Sequence, residues 1–224
     1  MNFRIKICGL RDPHQAVAIA RLGASALGVI AVSASPRYVT PGQVRVLRVA
    51  LDQAATSVPL VGVFAEPSLD EIAAYVDQGG LGAIQLHKGE SPEFCDQVRA
   101  RFPGLELIKA LRIRQPQDLA IADRYRDCVD TLLLDAWHPD QLGGTGETLD
   151  WSWLESFGPP QPWLLAGGIG PENVGEAIAR ARPAGVDLSS AVERRPADKD
   201  LDRVAELMTA IRQVRISGAG APGR

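Results

Sequence analysis

Short aliphatic and β-branched runs recur from one end of the chain to the other. They are RIKIC (4–8), ALGVIAV (26–32), PLVGVF (59–64), GAIQLH (82–87), ELIKAL (106–111), TLLLDA (131–136), PWLLAG (162–167) and GVDLSS (185–190). Between them lie amphipathic stretches, such as PHQAVAIARLG (13–23), SLDEIAAYVDQGG (68–80), SPEFCDQVRARF (91–102) and PENVGEAIARA (171–181). Several open on proline, serine or aspartate and close on glycine, the asymmetry that caps helices. Strands that each precede a helical pattern predict a parallel sheet with right-handed crossovers. Eight of them in 224 residues predict closure into a single-domain α/β barrel, the (β/α)8 TIM barrel of the phosphate-binding type. A doubly wound open sheet is the alternative, but no GxGxxG follows the first run to support a dinucleotide site. The barrel is expected to span residues 1–216, with no break in composition to mark a second domain. SGAGAPGR (217–224) is small, glycine-rich and poor in apolar residues, and is read as a disordered tail.

Composition narrows the class of function. A hydrophobic fraction of 46% with 23% charged residues is that of a soluble globular protein with an ample core. The net charge is −3, and the 24 lysines and arginines are spread along the chain. This gives no nucleic-acid footprint and no membrane-surface helix. MNFRIKICG lacks the apolar core of a signal peptide, and no stretch of about 18 apolar residues is present, so a cytoplasmic protein is expected. Three cysteines, Cys8, Cys95 and Cys128, form neither a disulfide framework nor a zinc pattern. The three histidines are scattered, and neither a metal nor a cofactor is expected.

Chemistry in such a barrel sits at the C-terminal ends of the strands. That rule selects Cys8, Pro36-Arg37, His87, Asp135, the Gly167-Gly168 turn, and Asp187, Ser189 and Ser190. LAGGIGPENV sets a glycine-rich turn before a helix expected to start near Pro171, so that backbone N–H groups and a helix N-terminus would face an anion. LSSAVE adds two hydroxyls, with a short helix behind them. Glycines in tight strand–helix turns need no ligand, but two such turns on adjacent strands coincide with the barrel's phosphate position. A small phosphorylated molecule is therefore the expected partner.

Asp135 ends TLLLDA, ahead of a loop with GGTG (143–146); the following Ala136-Trp137 does not read as a helix start, so capping explains the aspartate poorly. Round a closed barrel, the strands carrying Cys8 and Asp135 are separated by two others. Thiol and carboxyl would then face each other across the mouth, an arrangement suited to a general base and a general acid. An inert buried residue is the ordinary fate of a free cysteine. Here Phe3, Ile5 and Ile7 alternate with Arg4, Lys6 and Cys8, which places Lys6 on the face of the thiol, where a cation favours the thiolate. Cys95 and Cys128 have no such setting and are read as structural. Gly9 is read as leaving room for substrate beside the sulfur. Arg37, in SASPRYVTP, is a surface arginine or a fork that grips a carboxylate. His87 is open between a wall residue, a weak base and a capping partner.

KICGL, SPR, VGVF, QLH, LLLDA…GGTG…W, LAGGIGPENV and DLSSAVE…KD occur in that order over about residues 3–200. In this the chain resembles the phosphoribosylanthranilate isomerase family, (β/α)8 enzymes of tryptophan biosynthesis. The resemblance implies an Amadori rearrangement without cofactor or metal, converting N-(5-phosphoribosyl)anthranilate to 1-(2-carboxyphenylamino)-1-deoxyribulose 5-phosphate. It implies Cys8 as general base, Asp135 as general acid and Arg37 as the group binding the anthranilate carboxylate. The segments with Gly167, Gly168, Asp187, Ser189 and Ser190 would hold the phosphate, and His87 would line the site.

The chain departs from the family pattern in three places. Glycine is displaced by one position in His87-Lys88-Gly89-Glu90, and alanine replaces glycine at Ala191 and Ala197. Where such a site requires a positive φ, alanine costs stability. A monomer or a homodimer is expected. The competing readings are a histidine-pathway sugar isomerase, which would be expected to pair aspartates, and a non-catalytic barrel that binds a phosphometabolite.

Overall fold

The computed structural model describes residues 3–136 and 149–218, so Trp137 and the GGTG segment lie outside the described residues. The eight predicted strands all form: β1 (Arg4–Ile7), β2 (Ala26–Ile30), β3 (Leu60–Phe64), β4 (Ala83–Leu86), β5 (Glu106–Ile113), β6 (Thr131–Ala136), β7 (Trp163–Leu165) and β8 (Gly185–Leu188). They run parallel in chain order and close where β1 pairs with β8. The expected barrel is the observed one, and the open sheet is excluded.

Among the described residues six α-helices surround it: α1 (Pro13–Leu22), α2 (Pro41–Gln53), α3 (Leu69–Gly79), α4 (Pro92–Arg101), α5 (Val174–Ala181) and α6 (Leu201–Gly218). Their starts follow from local chemistry. Asp12 accepts from the N–H groups of His14 and Gln15 ahead of α1, with Pro13 in the first turn. Thr40 with Gln43, and Ser68 with Glu71, form capping boxes that satisfy two orphan donors each. Gly23 and Gly80 end α1 and α3 in the left-handed conformation.

The structure corrects the expectation of a helix after every strand. β5 is followed by a 3-10 segment (Pro116–Tyr125), and the described chain after β6 carries a short 3-10 turn (Trp151–Leu154). α5 begins at Val174 rather than near Pro171. The Asn173 side chain folds back, accepting from Gly170 N–H at 2.8 Å and donating to the Gly168 carbonyl at 2.9 Å. These bonds keep residues 171–173 as a turn and delay the helix. α6 runs through Gly218, two residues into the segment read as a tail; the rest of that segment lies outside the described residues.

Strand alternation sorts side chains into two cores. One lies between barrel and helices and includes Ile7, Leu27, Leu86, Leu134 and Leu165. The other fills the barrel interior with Ala26, Val61, Ala83, Ile108, Leu133 and Leu164. Toward the N-terminal end, Arg4 Nη2 donates to Glu106 Oε2 at 2.9 Å, and Arg4 Nη1 reaches Thr131 Oγ1 at 3.2 Å. The interior is thus packed from below, and polar chemistry is left to the opposite mouth. After β8 a hairpin of β9 (Glu193–Arg195) and β10 (Asp198–Lys199) folds onto that mouth.

Candidate active site

Cys8 continues β1, its N–H donating to the Leu188 carbonyl at 2.8 Å. The thiol is 6% exposed and packs against Gly28, where an added Cβ would lie 2.5 Å from Sγ. Gly28 is therefore a space-maker for the sulfur. Gly9 has a different role from the one expected. Its φ is +83°, and a Cβ there would sit 2.6 Å from Arg37 Cδ and 3.2 Å from Ser189 Oγ. The missing side chain makes room for the protein's own arginine, not for substrate.

The thiol does not stand beside a free cation. Lys6, fully buried on the same face, donates to Asp187 Oδ1 at 2.8 Å, its register partner on β8. Burial would strip Lys6 of its proton, but Asp187 and Cys8 more than offset this and hold the ammonium above its ordinary range. Burial pushes the Cys8 thiol up, against the pull of Lys6 and Lys199. Lys6 therefore lowers the thiol as expected, but desolvation outweighs it and holds the thiol above its ordinary range. Asp187 is also reassigned. Its carboxylate is spent on Lys6 inside the barrel, and an acidic side chain would repel a phosphate rather than bind it. Cys95 and Cys128 are buried free thiols; burial pushes Cys95 up to about 12, which keeps it protonated and inert.

Asp135 lies near the end of β6, 4% exposed. Gly167 (φ +82°) lets the β7 turn close over it, since a Cβ there would meet Ala136 N at 2.6 Å and Asp135 Oδ1 at 3.0 Å. His87 follows β4 and brings Nε2 to 3.3 Å from Asp135 Oδ2, near but off the line a hydrogen bond requires. His87 Nδ1 faces the Gln85 amide nitrogen at 2.8 Å. With the amide in that orientation Nδ1 accepts, which places the neutral ring's proton on Nε2, toward Asp135. Gln85 Oε1 and His87 Nε2 are buried without a hydrogen-bond partner among the described residues. Buried polar atoms are nearly always satisfied, so two orphans in one wall mark where a ligand's polar groups would go.

Gly167 and Gly168 both take positive φ, +82° and +63°, and lead into the Asn173-braced turn before α5. Ser189 Oγ donates to the Cys8 carbonyl at 3.1 Å, and Ser190 opens a three-residue 3-10 turn. The two segments follow neighbouring strands, β7 and β8.

Arg37 is brought to the same mouth by the loop after β2, but it is not a lone surface arginine. Its Nε lies 3.0 and 3.1 Å from the two Glu193 oxygens, and Nη2 lies 2.6 Å from Oε2. Glu193 also accepts from Lys199 at 2.7 Å. Sequence reasoning quoted both residues within a motif without giving either a role. The usable signal was an acid and a lysine in a short hairpin beside the last strand. On β5, Arg112 is the register partner of Asp135.

The departures at the mouth separate cleanly. Ala191 and Gly89 do not take positive φ, whereas Ala197 does, at +68°. Only the last substitution sits in a glycine conformation.

A closed (β/α)8 barrel whose C-terminal mouth gathers a buried thiol, a carboxyl with its histidine, a glycine turn beside a serine pair and an arginine defines an enzyme-type small-molecule barrel. Residues 5–210 match the family described as N-(5'phosphoribosyl)anthranilate (PRA) isomerase, and the chain belongs to that family. It is 57% identical over 211 residues to the N-(5'-phosphoribosyl)anthranilate isomerase of Synechococcus elongatus, covering 94% of this chain and 97% of that one. The Nostoc punctiforme relative of the same name is 53% identical over 204 residues, covering 91% and 96%. Among solved structures, phosphoribosyl anthranilate isomerase from Thermotoga maritima superposes with a TM-score of 0.85 at 33% identity, covering 95% of this chain and all of that one. Another, at 31% identity and TM-score 0.81, covers the same shares and is a complex with reduced 1-(o-carboxyphenylamino)-1-deoxyribulose 5-phosphate.

Proposed function

We propose that this isomerase carries out the Amadori rearrangement of N-(5-phosphoribosyl)anthranilate with Cys8 as general base and Asp135 as general acid. The observation that carries this reading is the shared mouth. Both side chains are buried beneath it, just past β1 and on β6, with the Gly167-Gly168 turn after β7 and the Ser189-Ser190 segment after β8 between their strands. Asp135 delivers a proton to the furanose ring oxygen, and the C1–O bond breaks to give a Schiff base. His87, with Nε2 at 3.3 Å from Asp135 Oδ2, lines the wall beside the acid. Cys8 acts from its thiolate form, its own proton having passed to solvent: the sulfur takes the proton from C2, and the enolamine tautomerises to the ketone. Ring opening and the two proton transfers conserve every atom and need no external oxidant or reductant, so the reading calls on no cofactor or metal.

The ligand has two anionic ends, and the mouth offers a place for each. Backbone N–H groups of the Gly167-Gly168 turn and the Ser189-Ser190 segment bind the phosphate, and the free edge of Arg37 binds the carboxylate. A histidine-pathway isomerase would need a second aspartate where Cys8 stands, and a pure binding barrel would need neither thiol nor carboxyl. The reaction belongs to the cytoplasm; among the described residues no helix is long and apolar enough to cross a membrane. The partner is a small phosphorylated metabolite rather than nucleic acid. The chain acts as a monomer or homodimer, and a Thermotoga maritima relative is described as dimeric. Loss of phosphoribosylanthranilate fluorescence under the wild-type protein tests the reading, and no turnover refutes it.

A further inference from the structure

The arginine proposed for the substrate carboxylate already holds a carboxylate of the protein. Glu193 takes the Nε–Nη2 side of Arg37 at 3.0 and 2.6 Å, a side-on fork that uses two of the five guanidinium N–H groups. The Nη1–Nη2 end is left for another planar acceptor. Glu193 is 3% exposed and cannot swing away easily, because Lys199 Nζ donates to its Oε1 at 2.7 Å and Ala197 N–H at 3.2 Å. The stem of Arg37 packs on Gly9, whose missing Cβ admits the Cδ methylene. With its stem seated on Gly9 and one edge held by Glu193, the guanidinium presents its other edge.

Charge makes the arrangement more specific. An Arg–Glu pair alone is neutral and would draw an anion weakly. Lys199, fully buried, brings a second basic group onto Glu193; burial and Arg37 pull its ammonium below the ordinary range, and the ion pair with Glu193 at 2.7 Å works against that, so that with Lys199 protonated the cluster carries one positive charge. Burial alone would raise the Glu193 carboxyl, yet Arg37 and Lys199 hold it below the ordinary carboxylate range. Lys199 also reaches the Ser189 carbonyl at 3.2 Å, and Ser189 Oγ bonds the Cys8 carbonyl, so the cluster is tied to the backbone of the proposed base.

We propose that Glu193 is a positioning residue for substrate recognition: it fixes Arg37 in the orientation that receives the ligand carboxylate, with Lys199 neutralising Glu193 so that the site stays cationic. This rests on the reading of Arg37 given above. The competing possibility is a salt bridge that merely pins the hairpin of β9 and β10 to the loop after β2.

The test is calorimetric binding of two ligands, the reduced aminoketose phosphate carrying the ring carboxylate and its aniline counterpart without it. The wild type should prefer the carboxylate ligand by about 100-fold, the scale of a charge-assisted fork. Glu193→Gln should cut that preference about tenfold while leaving the aniline ligand within about twofold, and should raise KM with kcat little changed. Equal weakening of both ligands, or an undiminished preference, overturns the proposal alone. A wild type that binds both ligands equally overturns the reading of Arg37, and this proposal with it. Should Glu193→Gln fail to fold, Glu193→Asp keeps the charge one methylene short, and the same two-ligand comparison decides.

Discussion

Lys6 Nζ and Asp187 Oδ1 lie 2.8 Å apart across the β1–β8 seam that closes the barrel, directly beneath the residue proposed as general base. Both side chains are buried, at 0% and 9% exposure, so neither charge can be solvated if the other is lost. Lys6→Met should cost about 3–5 kcal/mol of stability, because it strands a buried carboxylate. The double variant Lys6→Met/Asp187→Leu should recover much of that loss. Urea unfolding of the three proteins checks this, and equal midpoints for single and double variants would contradict it.

The thiol of Cys8 should titrate high in the free protein. Burial pushes it up, so alkylation by iodoacetamide should accelerate with pH through and above the ordinary thiol range near about 8.5. A rate that levels off below pH 8 would show a resting thiolate instead. The linkage has the same sign: a thiol raised on folding adds stability that is full below the ordinary range and is lost as pH rises through the folded value. Cys95, at about 12, acts in the same direction.

Gly28→Ala should separate fold from function. The new Cβ would come within 2.5 Å of the Cys8 sulfur, and Cys8 Cα lies at 3.0 Å, so the thiol must move. Overpacking of this kind typically costs about 1–3 kcal/mol, which a barrel of this size tolerates. The kcat/KM should fall by about 10²-fold, the scale of one misplaced acid–base group, with the circular dichroism unchanged. Activity within twofold of wild type would show that the sulfur position is unimportant.

The strands and the strand-end residues were legible in the sequence because they depend on local pattern: a run of aliphatics, a glycine, then a cap. The pairings were not. That Lys6 belongs to Asp187 and Arg37 to Glu193 depends on closure of the barrel, which joins residues 181 and 156 positions apart. Gly28 was invisible for the same reason, since its need for no side chain is set by a neighbouring strand. The late start of α5 depends on Asn173 reaching back to Gly168, a side-chain bond that helical periodicity does not report.

Ala197 offers a stability prediction. It holds φ +68° in the β9–β10 turn, a conformation that costs an L-residue about 1 kcal/mol or more relative to glycine. Ala197→Gly should therefore raise stability by about 1 kcal/mol, seen as a higher thermal midpoint, without altering kcat. An unchanged or lower midpoint would show that the turn carries no strain.

The most direct test of the acid–base account is the fluorescence assay for consumption of phosphoribosylanthranilate by wild type, Cys8→Ala and Asp135→Asn. Each substitution should lower kcat by about 10²–10⁴-fold while binding of the reduced product analogue survives. Wild-type turnover in either variant would contradict the assignment of base and acid.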